Sequence, residues 1–146
     1  MKRDLQPAPT DVTISSETAE AQRIQQAILD HLKANAFSER ELFGIKLALE
    51  EALVNAIKHG NRMDRTKKVW ISYHVHADEF VIRIRDEGKG FDPHDVPDPT
   101  VEENLERPCG RGLLLMRYYM NEVNFLEGGN VVLMRKRRTP SSNHKP

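Results

Sequence analysis

Glu51 and Asn55 stand four residues apart in the run EALVNAIKHG, residues 51–60, which reads as helix. That spacing puts both side chains on one helix face, about 40° apart around the axis. A carboxamide oxygen beside a carboxylate suits an octahedral Mg²⁺ that already holds phosphate oxygens and waters. The carboxylate can then orient or deprotonate an attacking water or hydroxyl. Lys58 follows one turn on, within reach of a terminal phosphate. Alone, the pair is better read as an ordinary solvated helix face, because such pairs occur by chance in many helices.

Two glycine clusters lie further along the chain. Asp86-x-Gly88-x-Gly90 falls where a strand should end. Its glycines allow positive φ and close backbone approach. A carboxylate at a strand end can accept a hydrogen bond from an exocyclic amine such as adenine presents. Gly110-Arg111-Gly112 comes just before a helical pattern. Backbone N–H groups at a helix N-terminus bind phosphate, and Arg107 and Arg111 can add charge to a triphosphate. Each cluster alone is equally a plain turn or hinge. Their order and spacing together carry the signal.

Definite elements must hold these residues in place. Ser38 and Glu41 form a capping box. The helix it opens should run to about His59 and stop at Gly60, burying Leu42, Ile45, Leu49, Leu53 and Ala56. Residues 17–34 carry a second helical pattern, and Val12 and Ile14 mark a short strand before it. Val69, Ile71, Tyr73 and Val75 alternate with polar residues, as do Phe80, Ile82 and Ile84, which predicts an antiparallel hairpin. Leu113 to Tyr119 predicts a helix. Val123 and Phe125, then Val131 and Leu133, flank Gly128-Gly129-Asn130 in a second hairpin. Residues 92–110 hold four prolines and six acids with no period, the pattern of a long mobile loop, of a kind that is usually functional or disordered.

The 146 residues carry 22 Lys plus Arg against 22 Asp plus Glu. This balance argues against a dedicated nucleic-acid binder. The single cysteine, Cys109, excludes an internal disulfide and a multi-cysteine metal site. The start MKRDLQPAPT lacks the apolar run of a signal peptide, and no apolar run is long enough to span a membrane. The expectation is a cytoplasmic protein. It comprises a loose arm over 1–10, one domain over 11–137 and a disordered basic tail over 138–146.

At this point the pattern resembles a family. EALVNAIKHG is similar to the N box of the GHKL ATPases, the superfamily of gyrase, Hsp chaperone, histidine kinase and MutL. DEGKGF, residues 86–91, resembles their G1 box. GRGL, residues 110–113, resembles G2, and residues 92–109 resemble the ATP lid. The similarity covers roughly residues 10–137. The small size and the run GRGLLLMRYYMNEV further resemble the RsbW-type anti-sigma-factor serine/threonine kinases.

The resemblance implies an α/β (α+β) two-layer sandwich, the Bergerat fold, with a mixed, mostly antiparallel sheet and helices on one face. It implies ATP and Mg²⁺ as cofactors. Glu51 would be the general base, Asn55 the Mg²⁺ ligand and Asp86 the adenine contact. Gly88 and Gly90 would shape the adenine pocket. Gly110, Gly112 and Leu113 would shape the phosphate end, with Lys58, Arg107 and Arg111 near the phosphates. Where many relatives carry a Thr in the last hairpin, this chain has Gly129-Asn130-Val131.

As function, the resemblance implies an anti-sigma factor that phosphorylates a Ser or Thr of a small STAS-type anti-anti-sigma protein. Its partners would be a sigma factor and that antagonist, without direct nucleic-acid or membrane contact, and it would be capable of forming a homodimer. Two alternatives remain open: an ATP-gated binding module without phosphotransfer, and a detached histidine-kinase catalytic domain.

Overall fold

The computed structural model describes residues 9–88 and 108–139. Strand β1 (Thr10–Ser15) leads into helices α1 (Thr18–Ala34) and α2 (Glu39–Val54). A π-helical turn (Asn55–Gly60) continues α2. Strands β2 (Lys68–Val75) and β3 (Glu79–Arg85), helix α3 (Pro108–Tyr119) and strands β4 (Glu122–Leu126) and β5 (Val131–Arg137) follow. The sheet order is β1-β2-β3-β5-β4. The family resemblance implies a mixed sheet, but all four described pairings are antiparallel.

The alternation in β2 and β3 explains the two layers. Val69, Ile71, Tyr73, Phe80, Ile82 and Ile84 are buried beneath the helices. Ile24, Ile28 and Leu32 of α1 and Ile45, Leu49 and Leu53 of α2 meet them from above. The other sheet face is open, with Arg83, Arg85 and a partly exposed Trp70. No helix among the described residues is long and apolar enough to cross a membrane.

Three boundaries differ from the sequence expectation. Thr10 already belongs to β1 and not to a loose arm. Helix α3 starts at Pro108, so Gly110 and Gly112 lie inside its first turns and not before it. Proline suits a first helical position, since its fixed φ is helical and its missing N–H has no intrahelical partner there. The helix after Ser38 does reach Gly60, but its last six residues are π and not α. The proposed disorder of the tail, most of the lid, Gly90 and Arg107 lie outside the described residues.

The capping box forms as expected. The Ser38 hydroxyl accepts the Glu41 N–H at 3.1 Å, and Glu41 Oε1 accepts the Ser38 N–H at 2.8 Å. Glu41 Oε2 also accepts the Thr139 N–H at 2.5 Å, tying the end of the last strand to the start of α2. Burial pushes the Glu41 carboxyl upward, but hydrogen bonds from Thr139 and Ser38 outweigh it and hold it below 4.5. Its stabilisation is therefore present above that ordinary value and is lost as pH falls through the lowered one. Glu41→Ala leaves both N–H donors without acceptors and is expected to cost about 1–3 kcal/mol in urea unfolding at neutral pH.

Candidate functional site

The π turn at the end of α2 is held by Asn61. Its N–H donates to Ala56 O at 2.9 Å, a bond spanning five residues. The fully buried Asn61 side chain donates to Ser16 Oγ and Lys68 O, both at 2.9 Å, and accepts the Glu87 N–H at 2.7 Å. One amide thus ties the helix end to the edge of β2 and to the turn after β3. Arg62 and Met63 follow in left-handed conformation, φ 55° and 61°, which non-glycine residues seldom adopt.

This clamp presses two backbones together. A Cβ on Gly60 would strike the Asp86 carboxylate, and a Cβ on Gly88 would strike the backbone of Gly60. Glycine is required at both positions by closeness of approach. Asp86 is fixed from two sides. Its carboxylate Oδ1 accepts the Gly88 N–H at 2.7 Å. Its backbone N–H donates to Asn130 O at 2.9 Å, while Asn130 Nδ2 donates to Asp86 O at 3.1 Å. Burial raises the Asp86 carboxyl above its ordinary value, against the lowering effect of the Gly88 N–H.

Between the π turn and β3–β5 opens a cavity of about 540 Å³. Asn55, Gly60, Asp86, Gly88 and Asn130 line it, with Ile84, Met116 and Phe125 supplying apolar walls. This is the size and character of a small-ligand site, apolar with a few placed polar groups.

Helices α2 and α3 close one end. A Cβ on Gly112 would lie 2.5 Å from Glu51 Oε1 and 3.5 Å from Asn55 Nδ2. A Cβ on Gly44 would lie 2.7 Å from the Tyr119 ring. Seven residues forward on α2 match seven backward on α3, so the two helices run antiparallel along this seam. Glu51 is half-buried. Burial, then the neighbouring Glu50 charge, raises its carboxyl above 4.5. Asn55 Oδ1 is buried and has no hydrogen-bond partner.

The structure therefore brings Asn55, Asp86 and Gly88 to one cavity and sets Glu51 against Gly112 beside it. Lys58 is exposed and is not among the cavity-lining residues, because the wider π turn does not stack it over Asn55. Leu113 is buried in the core. Gly110 and Arg111 contribute backbone to the start of α3. Among lining residues, sequence reasoning passed over His59, Arg62, Lys67, Phe125 and Asn130 as site candidates. Burial, then the Lys58 charge, lowers His59. Only Asn130, beside two glycines in a hairpin, had a signal that marked its position.

Residues 14–136 match the family described as "Histidine kinase-like ATPase domain", and the chain belongs to that family. The chain is 33% identical over 109 residues to the serine-protein kinase RsbW of Bacillus licheniformis, a match spanning 68% of this chain and 67% of that protein. It is 39% identical over 101 residues to the anti-sigma F factor of Priestia megaterium, spanning 64% and 68%. Its fold is similar to a crystal structure of the RsbU and RsbW domains of Rv1364c from Mycobacterium tuberculosis, with TM-score 0.61 and 15% identity. That alignment covers 94% of this chain, which spans only 34% of the solved one.

Proposed function

We propose that this chain is an ATP-dependent serine/threonine protein kinase and anti-sigma factor. It binds a sigma factor and phosphorylates a small STAS-type anti-anti-sigma protein. The observation that carries the reading is the polarity of the site. Asp86 stands among close-packed glycines at one end, and Glu51 and the free Asn55 oxygen stand at the start of α3 at the other. A nucleotide laid along the cavity has its base amine at Asp86 and its phosphates at Gly112. The relatives named as serine-protein kinases and anti-sigma factors support the same assignment.

Asn55 fits a magnesium ion. Its Oδ1 is a buried acceptor without a partner. Mg²⁺ in nucleotide sites is held mainly by phosphate and water oxygens, so a single protein oxygen can serve as its ligand. When bound, Mg²⁺ neutralises charge on the phosphates. Glu51, held against α3, accepts the proton of the attacking Ser or Thr hydroxyl. Backbone N–H groups at the α3 N-terminus receive phosphate oxygens, with Arg107 and Arg111 as added charge. Asp86 accepts from the adenine amine. Gly90, which lies outside the described residues, is proposed to border the base. With these proposed partners the chain would act in the cytoplasm and would be able to form a homodimer.

Calorimetric titration of Mg-ATP tests the site. The wild type is expected to bind saturably, and Asn55→Ala to bind about tenfold or more weakly with loss of the magnesium dependence. Phosphotransfer to a serine of a STAS protein tests the reaction. Tight ATP binding without any phosphoserine would leave a nucleotide-gated binder.

A further inference from the structure

Among the described residues, two buried side-chain oxygens have no hydrogen-bond donor, and both belong to residues that line the cavity. One is Asn55 Oδ1, fitted above to magnesium. The other is Asn130 Oδ1, beside Asp86 at the opposite end. A buried acceptor left without a donor is costly, and each such group calls for an explanation. In a residue lining a cavity, a ligand's N–H supplies one.

The Asn130 amide is held one way round. The β3–β5 register, which pairs Arg85 with Val131, carries on to put Asn130 opposite Asp86. The Asp86 N–H donates to Asn130 O at 2.9 Å. Asn130 itself is not extended, with φ −94° and ψ 6°, and its side chain makes the return bond. Nδ2 donates to Asp86 O at 3.1 Å, where a regular ladder would use a backbone N–H. The Asp86 carbonyl can only accept, so turning the amide over would set oxygen against oxygen. Oδ1 is therefore the end left over.

Opposed residues thus bring two acceptors to one end of the cavity, the Asp86 carboxylate and Asn130 Oδ1. The exocyclic amine of adenine has two hydrogens to give. They diverge by about 120°, so acceptors about 2.9 Å from the nitrogen stand about 5 Å apart. Residues opposed across an antiparallel pair are separated by about 5 Å. We propose that Asn130 is a base-specificity residue: Asp86 accepts one hydrogen of the adenine amine, and Asn130 Oδ1 accepts the other. The proposal deepens the nucleotide reading above and rests on its ATP-binding part alone, not on phosphotransfer. One acceptor tolerates a singly methylated amine, whose remaining hydrogen turns toward it, whereas two acceptors do not. A carbonyl oxygen in the amine's place, as in guanine, meets an oxygen on both sides.

The test is calorimetry with the magnesium complexes of ATP, N6-methyl-ATP, N6,N6-dimethyl-ATP and GTP, on the wild type and on Asn130→Ala. In the wild type the first methyl is expected to weaken binding about tenfold or more, and the second to weaken it further. Asn130→Ala is expected to bind ATP about three- to tenfold more weakly. Its first-methyl penalty is expected to shrink to about twofold or less, since the missing amide leaves room for the methyl and no acceptor to satisfy. If Asn130→Ala fails to melt cooperatively, Asn130→Ser takes its place, keeping a hydroxyl donor without the amide oxygen. A first methyl that costs the wild type about twofold or less overturns the proposal while ATP binding stands. So does an equal first-methyl penalty in wild type and variant, which would be a steric effect of other groups. So does tighter binding of GTP than of ATP, since the two acceptors then read the N–H and amine edge of guanine. If the wild type binds none of the four nucleotides, the ATP reading itself fails and the proposal falls with it.

Discussion

Glu51→Gln is expected to reduce phosphotransfer to the STAS protein by about 100-fold or more while leaving Mg-ATP affinity within a few-fold. A positioned general base contributes about 10²–10⁴ in rate. The amide keeps the size of the carboxylate and its place against Gly112, so what disappears is proton acceptance. Single-turnover transfer of labelled phosphate, run beside calorimetry, separates the two effects. The pH dependence supplies a further readout. Burial, then Glu50, raises the Glu51 carboxyl above 4.5. With Glu51 as the proposed base, which works only when ionised, kcat is expected to fall as pH drops through that raised value. Glu50→Gln removes the neighbouring charge and is expected to move the acidic limb to lower pH. Glu51→Gln is expected to abolish the limb.

Much of this arrangement was legible in the residues. The alternation in β2 and β3, the Ser38 capping box and the helical pattern before Gly60 each follow from local chemistry, and each forms. The Glu51–Asn55 spacing names a helix face without fixing what opposes it. Asp86 followed by glycines names a turn and leaves its depth unstated. What was not legible depends on contacts distant in sequence. Asn61 reads as one more polar loop residue, yet it is fully buried because Ser16, Lys68 and Glu87 converge on its amide. That convergence follows the wide π turn, which no local pattern announces. Lys58 failed to line the cavity for the same reason: a three-residue spacing means one face in an α-helix, but not in a π turn. Gly110-Arg111-Gly112 was misplaced by a turn because glycines suggest a hinge more strongly than Pro108 suggests a helix start.

Asp86→Asn separates binding from stability at the other end of the site. Calorimetry is expected to show Mg-ATP affinity lowered by about 10–100-fold, the loss that follows when a charged acceptor is removed from a buried hydrogen bond. The same substitution is expected to raise the melting temperature of the nucleotide-free protein. Asp86 is raised by burial, although the Gly88 N–H opposes the rise. Between the ordinary value of 3.8 and the raised one, the folded protein holds a proton that the unfolded chain has released. Stability therefore declines as pH climbs through this window. Asparagine keeps an oxygen for the Gly88 N–H and removes the charge. Gly60 packs against the carboxylate on one side, and on the other the carboxylate lines the cavity. In the proposed complex a base amine donates to this carboxylate from the cavity. On the proposed contact of Asp86 with the base amine, a variant both more stable and weaker in binding is the expected outcome.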